Sequence, residues 1–356
     1  MRTAIVLGTR PEIIKMSPVI REFKRRGVDF FVLHTGQHYS FELDGAFFRD
    51  LELEEPEVNL GVGSGSHAVQ TGRILVGVED CIRDGCGLVL VEGDTNSVLG
   101  GALAAAKLNI TVGHVEAGLR SFDRSMPEEI NRILADHVST YLFAPTEVSR
   151  SNLLREGLED SKIFVTGNTV VDALWQNLEI AERKRTPLRD LGLDVGEYFL
   201  VTCHRAENTD NSVRLRSILG AFKRLSEKYG VPVVYPIHPR ASKMIESFGL
   251  DTERITTLPP IGYLDFLLLE KNARLILTDS GGVQEEACIL KTPCVTLRDN
   301  TERPETVEVG ANIIAGAEVG SVVDCVELML GKEKDWPNPF GEGDAAVKIA
   351  DITHIK

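Results

Sequence analysis

Three carboxylates and a histidine stand where a chain could do acid–base chemistry. Asp94 lies in Glu92-Gly93-Asp94-Thr95-Asn96 and Glu116 in Glu116-Ala117-Gly118-Leu119-Arg120, each just after a short β-branched run, and Glu128 lies in Ser125-Met126-Pro127-Glu128-Glu129. Carboxylates gathered at one sheet edge raise one another's proton affinity, which suits proton transfer near neutral pH. A bland reading stays open for each: Asp94 as a helix N-cap, Glu116 as a partner of Arg120, Glu128 as a first-turn residue. His204 in Cys203-His204-Arg205 and His238 in His238-Pro239-Arg240 also follow strand-like runs. A lone histidine is more often structural than catalytic, but two His/Arg groups at strand ends weigh against that default.

A second group of residues suits an anion. Asp279-Ser280-Gly281-Gly282-Val283-Gln284-Glu285-Glu286 sits between a strand-like and a helical pattern, where backbone N–H groups and the helix dipole can hold a phosphate. Ser280 as a plain N-cap and the glycines as a tight turn remain the alternative. Glu286, one turn in, could accept hydrogen bonds from a ribose or merely favour the helix start. In Gly8-Thr9-Arg10-Pro11-Glu12 a single glycine and a proline at the helix start do not make a dinucleotide fingerprint, so a nicotinamide cofactor is not expected. Arg10 with Lys15 could grip a diphosphate, or Arg10 could form a surface pair with Glu12. Histidine, carboxylate and cysteine spacings match no metal site, and neither G-x-S-x-G nor a Walker A pattern occurs, so no metal is expected.

These segments are positioned by an alternation of short apolar strands and longer helical patterns. Residues 3–7, 30–34, 88–91, 111–115 and 141–143 read as strands of one sheet, and 199–202, 231–235, 275–278 and 293–297 as strands of another. Such alternation predicts parallel sheets covered by helices, with ligands beyond the carboxyl ends of the strands. The polar stretch after a helix at 170–185 predicts a boundary there: residues 1–185 carrying the carboxylates, 186–338 the phosphate motif, and 339–356 a final segment packing back on the first domain.

With 356 residues, 43% hydrophobic and 26% charged, the chain is long enough for two cored domains. Against 53 acidic residues stand 39 Lys and Arg, and the net charge of −14 disfavours a broad nucleic-acid surface. No apolar run is long enough to cross a bilayer, so membrane insertion is not expected. The start runs straight into a strand without a signal-peptide pattern, and six scattered cysteines read as reduced core thiols. A cytoplasmic protein is expected.

Taken together and in order, the segments resemble the non-hydrolysing UDP-N-acetylglucosamine 2-epimerases. The resemblance rests on Gly8 to Glu12, Gly93-Asp94-Thr95, His114 to Arg120, Pro127 to Arg132, Gly167-Asn168-Thr169, His204-Arg205, Asp279 to Gly282 and Thr301-Glu302-Arg303-Pro304-Glu305. Gln37-His38-Tyr39-Ser40 and Ser121-Phe122-Asp123-Arg124 look closest to the archaeal branch. The resemblance implies a glycosyltransferase-B-like α/β fold, two Rossmann-like domains with parallel sheets facing a cleft. It implies reversible interconversion of UDP-GlcNAc and UDP-ManNAc by elimination of UDP to a 2-acetamidoglucal and re-addition, with no cofactor, in a homodimer. Carried over residue by residue, Asp94, Glu116 and Glu128 match the catalytic carboxylates and His204 a histidine serving the departing diphosphate. Arg10, Ser280, Gly281 and Gly282 would hold UDP, Glu286 its ribose and Phe266 its uracil, with Lys15 and Arg303 completing the lining.

A hydrolysing epimerase, an epimerase of a modified UDP-GlcNAc and a UDP-sugar-dependent glycosyltransferase are the alternatives, separated by product analysis. A non-catalytic sensor would have no use for the three carboxylates. Many bacterial relatives bind a second UDP-GlcNAc as activator; of the matching positions, Gln37, Gln70 and His238 keep their polar character, whereas Ser40 and Val69 stand where a glutamine and an arginine would reach it. Losing a guanidinium removes up to five donors to an anionic diphosphate, and weaker contacts mean weaker coupling. UDP-ManNAc freed of its epimer should therefore turn over without a lag; a progress curve that stays flat until trace UDP-GlcNAc is added would refute this.

Overall fold

The computed structural model describes residues 2–36 and 41–354, so the motif at residues 37–40 lies outside the described residues. The chain divides into one unit of Met1–Gln176 with Phe340–Lys356 and another of Asn177–Pro339. The division falls inside the helix Thr169–Lys184, ahead of the linker expected at residue 185.

The first unit holds a seven-stranded sheet in the order β3-β2-β1-β4-β5-β6-β7, parallel throughout. Its strands are β1 Arg2–Leu7, β2 Phe30–His34, β3 Val58–Asn59, β4 Cys86–Glu92, β5 Thr111–Val115, β6 Tyr141–Ala144 and β7 Ile163–Val165. The central strands are buried on both faces, which is why they read as continuous apolar runs: Ala4, Val6, Val89 and Val91 share a core with Leu33, Ile74, Val98 and Val112. The second unit repeats the scheme with six parallel strands, β10-β9-β8-β11-β12-β13. These are β8 Phe199–Thr202, β9 Val233–Pro236, β10 Ile255–Leu258, β11 Leu275–Thr278, β12 Cys294–Thr296 and β13 Asn312–Ile314. In each sheet the strand order reverses beside the first strand, between β1 and β4 and between β8 and β11, and ligands of such sheets bind at that crevice.

Two local devices shape the first crevice. The helix Arg10–Arg26 starts with Thr9 as N-cap and Glu12 reaching back to the backbone N–H of Gly8 and Thr9, the latter at 3.1 Å. Glu12 also accepts from the Thr95 hydroxyl at 2.5 Å, tying the end of β1 to the end of β4. It is buried, so the surface pair of Arg10 with Glu12 does not form, and burial pushes its carboxyl up to about 7 against those hydrogen bonds. Gly8 is required because a Cβ there would lie 1.9 Å from Ser97 Oγ and 2.5 Å from Thr35 Oγ1. The chain returns to this unit at Phe340, whose carbonyl accepts from Asn168 N at 2.8 Å. The last helix, Ala345–Thr353, is capped by Asp172, which accepts from the N–H groups of Ala345 (3.3 Å) and Ala346 (3.1 Å).

Candidate active site

At the carboxyl ends of β4 and β5 two of the expected carboxylates meet half-buried cations. Glu116 directly follows β5, is nearly buried, and takes the positive φ of 68° that non-glycine residues rarely adopt. Lys15, one turn into the helix Arg10–Arg26, places its Nζ 2.7 Å from both Glu116 carboxylate oxygens and 3.4 Å from Glu92. Asn168 Nδ2 donates to Glu116 Oε1 at 3.2 Å. The alternative pairing with Arg120 fails because Arg120 is held by Asp136 and Glu156, each at 2.7 Å.

Asp94 is not a helix cap either. Thr95 caps the helix Asn96–Lys107, accepting from Ser97 N at 3.1 Å. Asp94 Oδ2 instead receives Arg132 Nη2 at 2.6 Å and Nε at 3.0 Å, while Asn131 Nδ2 donates to the Asp94 carbonyl at 2.9 Å. Glu128 sits half-buried in the first turn of the helix Pro127–Val138 and makes no hydrogen bond or ion pair with the described residues. Its neighbour Glu129 does the structural work of that turn, accepting from Arg132 (3.1 Å), Ser121 N (2.9 Å) and Phe122 N (3.1 Å).

Sequence reasoning passed over two groups here. Glu92 ends β4, pairs in register with Val115 immediately before Glu116, and is buried. Burial lifts its carboxyl well above the ordinary range, Lys15 opposes and Glu116 adds to the rise. An acid closing an otherwise apolar strand, in register beside another acid, was the available signal. His114, fully buried in β5, has Nδ1 2.6 Å from Asp136 Oδ1 and Nε2 2.8 Å from the Gly93 carbonyl. Both partners are acceptors, so both ring nitrogens carry hydrogen and the ring is an imidazolium. Burial disfavours that charge, but Asp136 and the Gly93 carbonyl outweigh it and raise the histidine. This strut fixes Gly93, and therefore Asp94, against β5.

In the second unit the hydroxyls of Thr202 and Thr278, register partners on β8 and β11, lie 2.5 Å apart and set the following residues side by side. Asp279 then accepts from His204 N (2.9 Å), Arg205 N (2.9 Å) and Asn208 Nδ2 (3.0 Å), with His204 Nδ1 2.9 Å from its Oδ1. Burial would raise this carboxyl, yet His204 and those donors hold it below the usual range. Nδ1 of His204 is thus tied to Asp279, a pairing that the place of Asp279 in the phosphate motif concealed. His238 lies with its ring centroid 6.0 Å from that of His204 and caps the helix Pro239–Ser247 through Arg240 N at 3.2 Å.

Ser280 is the N-cap residue of the helix Gly281–Ile289, but its side chain does not cap it. Gly281 and Gly282 are helical, without positive φ, and a Cβ on either would meet nothing nearer than 3.7 Å. The tight-turn account therefore fails: glycine lowers helix propensity here and neither turn nor packing asks for it. Phe266, Ser280 and His204 line a cavity of about 280 Å³ with Ile237, Pro260 and Val283. Glu286 is on the same helix, nearly buried, and Arg303 Nε is 2.8 Å from Glu285. Arg10 in the first unit lies with Cζ 5.5 Å from the centre of the Phe47 ring. Of the activator positions, Val69 is exposed, whereas Gln70 is buried and spends its amide on the Gly63 carbonyl and Asn96. Gln37 and Ser40 lie outside the described residues. Among the described residues no group of three His, Cys, Asp or Glu side chains could hold a metal ion, and no helix is long and apolar enough to cross a membrane.

Two parallel Rossmann-like sheets, each with polar groups at its strand-order reversal, define the glycosyltransferase-B-like class of α/β proteins. A family model described as UDP-N-acetylglucosamine 2-epimerase matches residues 21–354. The UDP-N-acetylglucosamine 2-epimerase of Methanocaldococcus jannaschii is 54% identical, over 99% of this chain and 98% of its own. Its crystal structure in complex with UDP-GlcNAc and UDP superimposes with a TM-score of 0.89, covering 100% of both chains. The UDP-2,3-diacetamido-2,3-dideoxy-D-glucuronate 2-epimerase of Pseudomonas aeruginosa is 42% identical over 99% of each chain. The chain belongs to the UDP-N-acetylglucosamine 2-epimerase family.

The Lys15 arrangement generates a pH test. A carboxyl raised by folding, as Glu92 is, holds its proton more tightly folded than unfolded; that stability is present at low pH and lost as pH rises through the folded value. Removing Lys15, which opposes the rise, should deepen this loss. Lys15→Met should cost about 3–5 kcal/mol at pH 8, the scale for breaking a buried pair, and distinctly less at pH 5. Urea unfolding at both pH values reads the difference, and a larger cost at pH 5 would contradict the assignment.

Proposed function

We propose that this protein interconverts UDP-GlcNAc and UDP-ManNAc by inverting C2 of the sugar. A carboxylate of the set Asp94, Glu116 and Glu128 takes the C2 proton; the C–H electron pair forms the C1=C2 bond as the C1–O bond breaks and UDP leaves with its electrons. In the return step the glycal gains a proton at C2 from the opposite face, delivered by another member of the set, and a UDP oxygen bonds to C1. No atom is oxidised or reduced overall, so the reaction calls for no redox cofactor.

The observation that carries the reading is the placement of Asp94 and Glu116 just past the ends of the neighbouring strands β4 and β5, each held by a cation, with Glu128 in the first turn of the next helix and without an ionic partner among the described residues. Lys15 balances the charge of Glu116, Arg132 orients Asp94, and Glu128 is the member placed to exchange a proton without first breaking an ion pair. In the other unit His204, oriented by Asp279, would donate from Nε2 to the departing diphosphate. Ser280, Gly281 and Gly282 would offer backbone N–H groups to its phosphates; two glycines that neither turn nor packing demands support close approach of a ligand. Glu286 would accept from the ribose, Phe266 would lie along the uracil, and Arg10 and Arg303 would complete the polar lining. All six cysteines are free, which supports a cytoplasmic enzyme, and exposed Val69, Val76, Ile130 and Leu134 on two helices of the first unit support a homodimer.

Proton NMR of the protein with UDP-GlcNAc in D2O should show UDP-ManNAc appearing without added metal or nicotinamide, with deuterium entering C2. Stoichiometric free ManNAc would move the protein to a hydrolysing class, and turnover only of a 2,3-diacetamido uronate would move the substrate. Asp94→Asn, Glu116→Gln and Glu128→Gln should each lower kcat about 100-fold or more with the fold intact; a variant of near-normal rate would have lost a structural group only. Gly281→Ala should melt at or above the wild-type temperature, since alanine favours a helix, yet bind UDP about tenfold more weakly in calorimetry. Unchanged affinity would take the phosphate away from this helix.

A further inference from the structure

Behind Glu286 lies a second acid that the proposed chemistry does not use. Glu270, near the end of the helix Tyr263–Asn272, is fully buried, and no hydrogen-bond donor among the described residues reaches either of its carboxylate oxygens. Glu286 comes close to it from the helix Gly281–Ile289, and Tyr263 lies near Glu286 and Asn177. The ionisable groups that face Glu270 are Glu286, Tyr263, Tyr198 on β8 and Cys294 on β12. None of them can be a cation. Leu269, Ala273, Ile276 and Ala287 form the apolar cluster around the site, so an aliphatic side chain would cost less than an acid.

A fully buried carboxyl that faces no cation keeps its proton, and beside a second carboxyl group it can donate that hydrogen to it. Burial and the charge of Glu286 push Glu270 well above the ordinary carboxyl range, so the deeper acid keeps it. We propose that Glu270 is a positioning residue of the nucleotide grip, its protonated carboxyl donating to Glu286 and holding that carboxylate as an acceptor for the ribose hydroxyls. The inference rests on the ribose reading of Glu286. It assigns to a side chain with no ligand contact the task of fixing both the charge and the orientation of one that has it.

UDP binding by calorimetry tests this, with thermal melting as the check on folding. Glu270→Leu, which fills the space without a donor, should bind UDP about tenfold more weakly, the scale of a lost bond to a charged group. Glu270→Gln, neutral and still able to donate, should bind within about twofold of wild type by the same reasoning. In a Glu286→Ala background Glu270→Leu should cause no additional loss. Wild-type affinity in Glu270→Leu, equal losses in the leucine and glutamine variants, or a full additional loss in the Glu286→Ala background would each overturn the proposal. If Glu286→Ala alone leaves UDP affinity unchanged, the ribose reading falls, and this inference with it.

Discussion

The structure turns on charge that has been taken out of water at the ends of buried strands. β4 is mostly apolar up to its last residue, Glu92, and Glu116 directly follows β5, so two acids enter a crevice that offers them little solvent. One ammonium, Lys15, stands against both. That cation can be there because the helix carrying it begins immediately after β1, with its first turn fixed by Glu12 to the ends of β1 and β4. The close approach at Gly8, the unusual backbone of Glu116 and the Asn168 contact all serve to keep this one pairing in place. The second unit solves the same problem with different donors: Asp279, just past the end of a buried strand, gathers backbone N–H groups, Asn208 and His204 around a single anion.

Much of the scaffold was legible because parallel strands covered on both faces leave unbroken apolar runs. The strands that escaped notice, β3, β7, β10 and β13, are the outer members of the two sheets. They are short, and residues such as Thr256, Thr257 and Val165 face solvent, so the run that betrays a central strand is missing. The motifs just past the apolar runs were legible too, and the structure sets Arg10, Asp94, Glu116, His204 and Ser280 shortly after β1, β4, β5, β8 and β11. Partners were far less visible. That Glu116 takes Lys15 and not Arg120, that Thr95 and not Asp94 caps a helix, and that Glu92 is drawn into the same cluster depend on side-chain directions across neighbouring strands, which no spacing along one strand contains.

The histidines illustrate the same limit from the other direction. His114 and His204 each follow or occupy an apolar strand and each meets an aspartate, at 2.6 and 2.9 Å. Yet one is sealed between a carboxylate and a carbonyl, a fixed charge that ties two strand ends together, and the other keeps one nitrogen turned outward. What separates the two is the second nitrogen's surroundings, a backbone carbonyl for His114 and a residue position lining a cavity for His204.

The path of the chain through its two units bears on how the molecule is made. The first unit takes Met1–Gln176, then waits through Asn177–Pro339 before receiving Phe340–Lys356. On a ribosome the whole second unit, with a core of its own, emerges while the first still lacks its final helix, so the groups that await that helix, Asp172 and the face of Arg10–Arg26, stay exposed during that interval. The unit whose synthesis begins second is thus the first to be complete. A nascent chain arrested near residue 339 would carry a finished second unit and an unfinished first one, which the helix Ala345–Thr353 would then complete.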